Sequence, residues 1–149
     1  MPAISIEVRD ARFDEAEALA RLCTQLGYPA DAADMPGRLE RLRADRNARA
    51  FVALIVGQVV GLATVHLRDV MNHSAPIAQL TLLVVDEQAR LQGIGRALVE
   101  HGEAWAQERG ARRMTVTTAL DRAGAHAFYE RVGYSHTGRR YARNFPPSS

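Results

Sequence analysis

LLVVDEQARLQGIGRALVEHGEAWAQERG, residues 82–110, is the stretch on which the fold turns. Its start closes an apolar, β-branched run, IAQLTLLVV at 77–85, that reads as a buried strand. A polar connection, 86–92, passes through Arg90-Leu91-Gln92-Gly93-Ile94-Gly95 into a helix expected over 94–109. That helix turns Leu98, Val99, Gly102, Trp105 and Ala106 toward a core, and Gly110 stops it. Glycine, lacking a Cβ, lets a backbone approach a ligand closely. The first-turn amides of a helix have no intrahelical partner and carry partial positive charge. Strand, glycine loop and helix start therefore make an anion site suited to a pyrophosphate, and Arg90 and Arg96 add full charges. Two commoner phosphate motifs are excluded. The dinucleotide fingerprint needs a third glycine where Leu98 stands, and the nucleotide P-loop needs a lysine that does not follow these glycines.

Working outward, residues 4–8 alternate apolar and polar as a strand does, and 14–26 carry a helical stripe of Ala16, Leu19, Ala20, Cys23 and Leu26. A more polar helix is expected over 34–46. The runs 51–56 and 59–65, separated by Gly57-Gln58, read as an antiparallel hairpin. A polar loop, 66–76, leads to the central strand. Beyond Gly110 come a strand at 113–118, a helix at 123–132 closed by Gly133, and an extended, alternating segment at 134–145. The arrangement is mixed α/β, with an antiparallel front half and a strand–helix–strand crossover behind. No repeat, low-complexity tract or linker divides the chain, so one domain over 1–149 is expected, with 146–149 as a frayed tail.

Composition narrows the function. The net charge of +2, from 19 basic and 17 acidic side chains, is too small for a general nucleic-acid binder. The run of Arg139, Arg140 and Arg143 reads as a solvated strand. The single cysteine, Cys23, excludes an internal disulfide and a multi-cysteine zinc site, and its place in the stripe makes it core. There is no signal segment and no apolar stretch near the roughly 20 residues a membrane span needs, so a cytoplasmic protein without membrane or metal is expected.

R-x-x-G-x-G after a buried strand resembles the coenzyme A loop of the GNAT superfamily of N-acetyltransferases, Q/R-x-x-G-x-G/A. A second family signature, N-x-x-A-x-x-F-Y-x-x-x-G-F/Y, is met in register by Ala125, Phe128-Tyr129 and Gly133-Tyr134. The resemblance covers nearly the whole chain. It implies a GNAT-like α+β domain, a mostly antiparallel sheet with a coenzyme A-binding crossover, and acetyl-CoA as acyl donor. The pantetheine arm is then expected along Leu83, Val84 and Val85 as an added strand. Arg90, Leu91, Gln92, Gly93, Ile94, Gly95 and Arg96 would take the pyrophosphate. Arg122, Ala125, Phe128 and Tyr129 would contact the cofactor from the following helix. The chain departs from the pattern at Arg122, where the family has asparagine for a pantetheine contact, and at Glu87, where proline is frequent.

The resemblance assigns two catalytic roles. The Val85 amide would donate to the thioester carbonyl, and Tyr129 would return a proton to the departing thiolate. The acceptor is expected to be a primary amine, on a small molecule first and a protein amino group second, with direct transfer in a ternary complex. A non-catalytic acyl-CoA-binding module is the competing class, and retention of Tyr129 argues against it. The general base stays open. The strand position that often carries a carboxylate falls at Thr81, beside Leu82, and neither can serve. His66, Asp69, His73, Glu87, a water chain or selection of the neutral amine remain, and the last is the expectation. Residues 27–38 and 66–76 are the expected acceptor loops, and a homodimer could complete the sheet edge beside 134–145.

Overall fold

The structure, a computed structural model, describes residues 5–90, 92–117 and 123–147. The chain divides after Val116 into two compact units, each taken by itself below.

In the first unit β1 (Glu7–Asp10) is followed by a 3-10 turn (Phe13–Glu15), α1 (Ala16–Leu26) and, after a second 3-10 turn (Ala32–Asp34), α2 (Met35–Ala44). Then come β2 (Ala48–Ile55), β3 (Gln58–Arg68), β4 (Ile77–Val85), a 3-10 turn (Glu87–Ala89), α3 (Ile94–Glu108) and β5 (Arg113–Val116). The five strands form one sheet in chain order. The first three pairings are antiparallel and β4–β5 is parallel, which only a crossover such as α3 can connect.

Strand alternation sorts the core onto two faces. Ala50, Val52, Leu54, Leu62 and Val84 meet Leu19, Ala20, Leu22 and Cys23 of α1 and Met35 and Leu39 of α2. Cys23 is core as expected, and burial pushes its thiol pKa up. On the other face α3 lies close to β3, because Gly61 and Gly102 offer no side chain there. A Cβ at Gly102 would come 2.9 Å from Val65 Cγ2, and one at Gly61 2.9 Å from Leu98 Cδ1. Phe51 meets His101 edge-on at 4.6 Å and Trp105 at 6.3 Å, so His101 is a packing residue.

Four local expectations change. β3 runs through Arg68, so the polar loop expected over 66–76 begins only after it. The first strand is Glu7–Asp10, paired with Phe51 to Leu54, so of the expected 4–8 it takes in 7 and 8, while 5 and 6 precede it and Ile4 lies outside the described residues. The hairpin turns on Val56-Gly57, not Gly57-Gln58, with φ of 49° and 75° at the two residues. Both being positive is the signature of the twist-matched two-residue turn, and a β-branched residue is strained there. The segment 134–147 forms no strand and is exposed from 135 onward. Its exposed large apolar side chains, Tyr141 and Phe145, stand among arginines and are 88% and 83% exposed, so no burial there offsets the cost of ordering it as a strand.

The second unit contains α4 (Ala123–Arg131). Among the described residues no helix is long and apolar enough to cross a membrane.

Candidate active site

β4 pairs with β3 along its whole length but with β5 only from Ile77 to Leu80. Where that pairing stops, the register against β3 slips: Val65 faces Leu80, Thr64 faces Leu82, and Thr81 is the extra residue of a bulge. From Leu82 to Val85 one edge of β4 thus has no strand partner among the described residues. The Asp86 N–H donates to Val60 O at 2.8 Å, which sets the phase of the antiparallel ladder. Alternation then gives Val84 and Leu82 to β3 and turns the N–H and C=O of Leu83 and Val85 toward the open edge.

The connection out of β4 is held by α1. The Asp86 carboxylate accepts the Gln88 N–H at 3.0 Å and lies 3.4 Å from Arg21 Nε. Arg21 Nη2 also donates to Val59 O at 3.1 Å, and Gln25 Oε1 accepts the Glu87 N–H at 3.0 Å. These anchors went unseen in the sequence. Arg21 and Gln25 stand at i and i+4 on one helical face, but nothing local says what that face meets.

At the start of α3, Gly93 takes a left-handed φ of 82°, and the space its Cβ would fill holds no atom within 4 Å. Ile94, 1% exposed, roots the helix beneath it. The first turn carries no acidic residue to compete for the free amides of Ile94, Gly95 and Arg96. Arg90 and Arg96 are exposed and form no ion pair with a described carboxylate. Gln92 and Gly95 are half-buried, while Leu91 lies outside the described residues. An extended ligand here meets a free strand edge, and a polyanion beyond it meets helix amides and two uncommitted guanidinium groups.

In the second unit Ala125, Phe128 and Tyr129 are half-buried along one side of α4. The helix ends with the Gly133 N–H on Glu130 O at 3.1 Å and the Tyr134 N–H on Tyr129 O at 2.9 Å, Gly133 having φ 102°. This paired closure brings the residue after the glycine back over the residue five before it. Tyr134 accordingly meets the Tyr129 ring edge-on at 5.9 Å, and Phe128 meets it at 5.2 Å. The spacing F-Y-x-x-x-G-Y is therefore a device for fixing the Tyr129 ring. Arg122 lies outside the described residues.

The proposed bases separate. Asp69 and His73 are exposed beyond the start of β4 and lie at its opposite end from Val85, about 26 Å away at the usual rise per residue. The same distance removes loop 69–76 from the end of β4, whereas the α1–α2 connection starts beside Gln25 and Glu87. Glu87 is exposed. His66 is half-buried, with Nδ1 2.9 Å from Thr81 Oγ1 at the bulge.

Residues 13–134 match the family model described as the acetyltransferase (GNAT) family. The chain belongs to the GNAT family. It is an acetyl-CoA-dependent N-acetyltransferase with the family's α+β fold. It is 33% identical over 143 residues to an aminoglycoside N(6′)-acetyltransferase type 1 from Stenotrophomonas maltophilia, covering 93% of this chain and 92% of the relative. It is 29% identical to the aminoalkylphosphonate N-acetyltransferase of Salmonella typhimurium, covering 92% and 90%. Among solved structures, aminoglycoside N-acetyltransferase AAC(6′)-Iy in complex with CoA superposes with a TM-score of 0.85 at 20% identity, over 97% of each chain.

Proposed function

We propose that this GNAT protein transfers the acetyl group of acetyl-CoA to a primary amine of a small molecule, directly and without an acyl-enzyme. The observation that carries the reading is the edge of β4 from Leu82 to Val85, which has no strand partner among the described residues and runs into a helix start with a bare glycine and two arginines in no described ion pair. An extended pantetheine arm would add to that edge at Leu83 to Val85, and its pyrophosphate would meet Gly93, Gly95, the first-turn amides, Arg90 and Arg96. The small-molecule acceptor is supported by two relatives that align over nine-tenths of the chain, one named for aminoglycosides and one for aminoalkylphosphonates.

Each role follows from a group's chemistry. The Val85 N–H points to the open edge and would stabilise charge growing on the thioester oxygen, an effect of about 3 kcal/mol. The amine attacks the carbonyl carbon, the C–S bond breaks, the thiolate takes a proton from the Tyr129 hydroxyl, and the nitrogen's surplus proton restores that hydroxyl. A phenol and a thiol are close enough in ordinary acidity for that exchange. The decisive experiment is release of free thiol from acetyl-CoA with a panel of primary amines, beside a thermal-shift series of acetyl-CoA, CoA, NAD and ATP. Stabilisation by the two coenzyme A species alone and amine-dependent thiol release are expected. Stabilisation by NAD or ATP instead, or thiol release indifferent to every amine, would remove this reading.

A further inference from the structure

We propose that His66 takes the proton from the acceptor's ammonium group and that Thr81 is its positioning residue, an inference resting on the amine-acetylation reading above. His66 is on the sheet face shared with Thr64, directly beside the bulge where β4 parts from β5. Three contacts hold its ring. Thr81 Oγ1 reaches the Thr64 carbonyl oxygen at 3.2 Å, and it lies 2.6 Å from Thr64 Oγ1 and 2.9 Å from His66 Nδ1. A carbonyl oxygen only accepts, and a threonine hydroxyl has one hydrogen. With that hydrogen on Thr64 O, the Thr64 hydroxyl and His66 Nδ1–H both donate to Thr81. On this proposal neutral His66 is the Nδ1–H tautomer, with a lone pair on Nε2.

The same Nδ1–H···Oγ1 bond survives when Nε2 gains a proton, so Thr81 holds the ring in both states. The neighbours of His66 in the sheet carry no charge. Its register partners are Ala48 on β2 and Gln79 on β4, and Thr115 of β5 faces Gln79 in turn; none titrates. Arg68 lies two residues along β3. Asp10, Arg43, Asp45, Arg46, Arg49 and Arg109 line one cavity with Ala48 and Ala50. Arg21 of α1 is held by Asp86, and no described carboxylate pairs with His66. About 13 Å of strand separates Thr81 from Val85, room for the acceptor's amine and one bridging water.

The step balances. The ammonium gives one proton to Nε2, directly or through that water, and the freed amine forms the N–C bond. The C–S bond then breaks, the thiolate takes the Tyr129 proton, and the nitrogen's surplus proton restores that hydroxyl. His66 releases its proton to solvent.

The test has two arms. In ¹⁵N-detected NMR of the free protein, neutral His66 should show a protonated Nδ1 and a bare Nε2, and the tautomers should mix in Thr81→Val. In the second arm, kcat/KM is followed against pH with a 6′-amino aminoglycoside and with 2-aminoethylphosphonate. Wild type should show an acidic limb at the same pH for both amines. His66→Gln should lose the limb and fall about 10²- to 10⁴-fold with unchanged acetyl-CoA affinity, and Thr81→Val should fall about 3- to 10-fold. An Nε2–H tautomer, a limb that tracks each amine's basicity, or full activity in His66→Gln overturns the proposal. Failure of wild type to acetylate either amine tells against the acceptor class instead, and the NMR arm still decides His66.

Discussion

The connection after β4 and the end of α4 both hold a group still, and they do it in opposite ways. The first is braced from outside: Asp86 by Val60 and Arg21, Glu87 by Gln25, with α1 supplying two of the three. At the second, Gly133 and Tyr134 fold back on Glu130 and Tyr129 within one helix end. The contrast follows from what each holds. The restraints fall on the amides of Asp86, Glu87 and Gln88 and leave those of Ile94, Gly95 and Arg96, further on, free for a polyanion. A single ring can be fixed by its neighbours in sequence. External bracing also ties this loop to α1, whose C-terminus leads into the acceptor segment expected at 27–38.

The strongest challenge to this picture is Tyr129→Phe, which keeps the packing with Phe128 and Tyr134 and removes the hydroxyl. Steady-state kinetics should show kcat reduced about 10²- to 10⁴-fold with acetyl-CoA affinity unchanged; undiminished turnover would make the closure of α4 purely structural. Next is Gly93→Val, which puts a branched side chain into open space at a left-handed φ, and calorimetry should find acetyl-CoA binding weakened about 100-fold. Gly93→Asn tolerates that φ better, so a similar loss there assigns the effect to obstruction rather than strain.

Smaller effects test the bracing itself. Gly133→Ala should strain the closure by about 1 kcal/mol and lower kcat roughly tenfold by mis-setting the ring, with acetyl-CoA affinity intact. Asp86→Ala should do the reverse: it removes a cap and a partly exposed ion pair, so acetyl-CoA should bind about fivefold more weakly, an effect of about 1 kcal/mol, with kcat kept.

The last tests whether α1 is a firm brace. Glu15 accepts from both Arg9 Nη atoms, at 3.1 and 2.7 Å, and from the Arg12 N–H at 2.7 Å. Burial pushes its carboxyl pKa up, but Arg9 and Arg12 together outweigh that and hold it below the ordinary value. Its stabilisation is then complete above the unfolded carboxyl's pKa and is lost as pH falls through the lower folded value. Glu15→Gln should destabilise by about 1 kcal/mol at pH 7, and urea melts should show the difference closing in acid.

Local signals carried far in this chain. The span of β4 matches its apolar run residue for residue, and Gly27, Gly110 and Gly133 each mark a helix end through a left-handed φ. The loop and α4 motifs name the family because each function is written in consecutive residues. The misses share one feature. The start of β1, the Val56-Gly57 turn and the unpaired segment after Tyr134 all depend on which partner the backbone finds, and no local pattern records that.

The candidate site divides along the same line. By itself the sequence determined the central strand, the glycine-bearing helix start and the Phe-Tyr helix with its closing glycine, since periodicity and backbone freedom are properties of neighbours along the chain. Only the tertiary structure decided that β4 loses β5 after Leu80, that Arg21 and Gln25 reach across to Asp86 and Glu87, and that His66 stands against Thr81. Those are contacts between residues 15 to 65 apart in the chain, set by strand register and helix docking, and a hydrogen bond across such a gap leaves no periodic trace in the residues that make it.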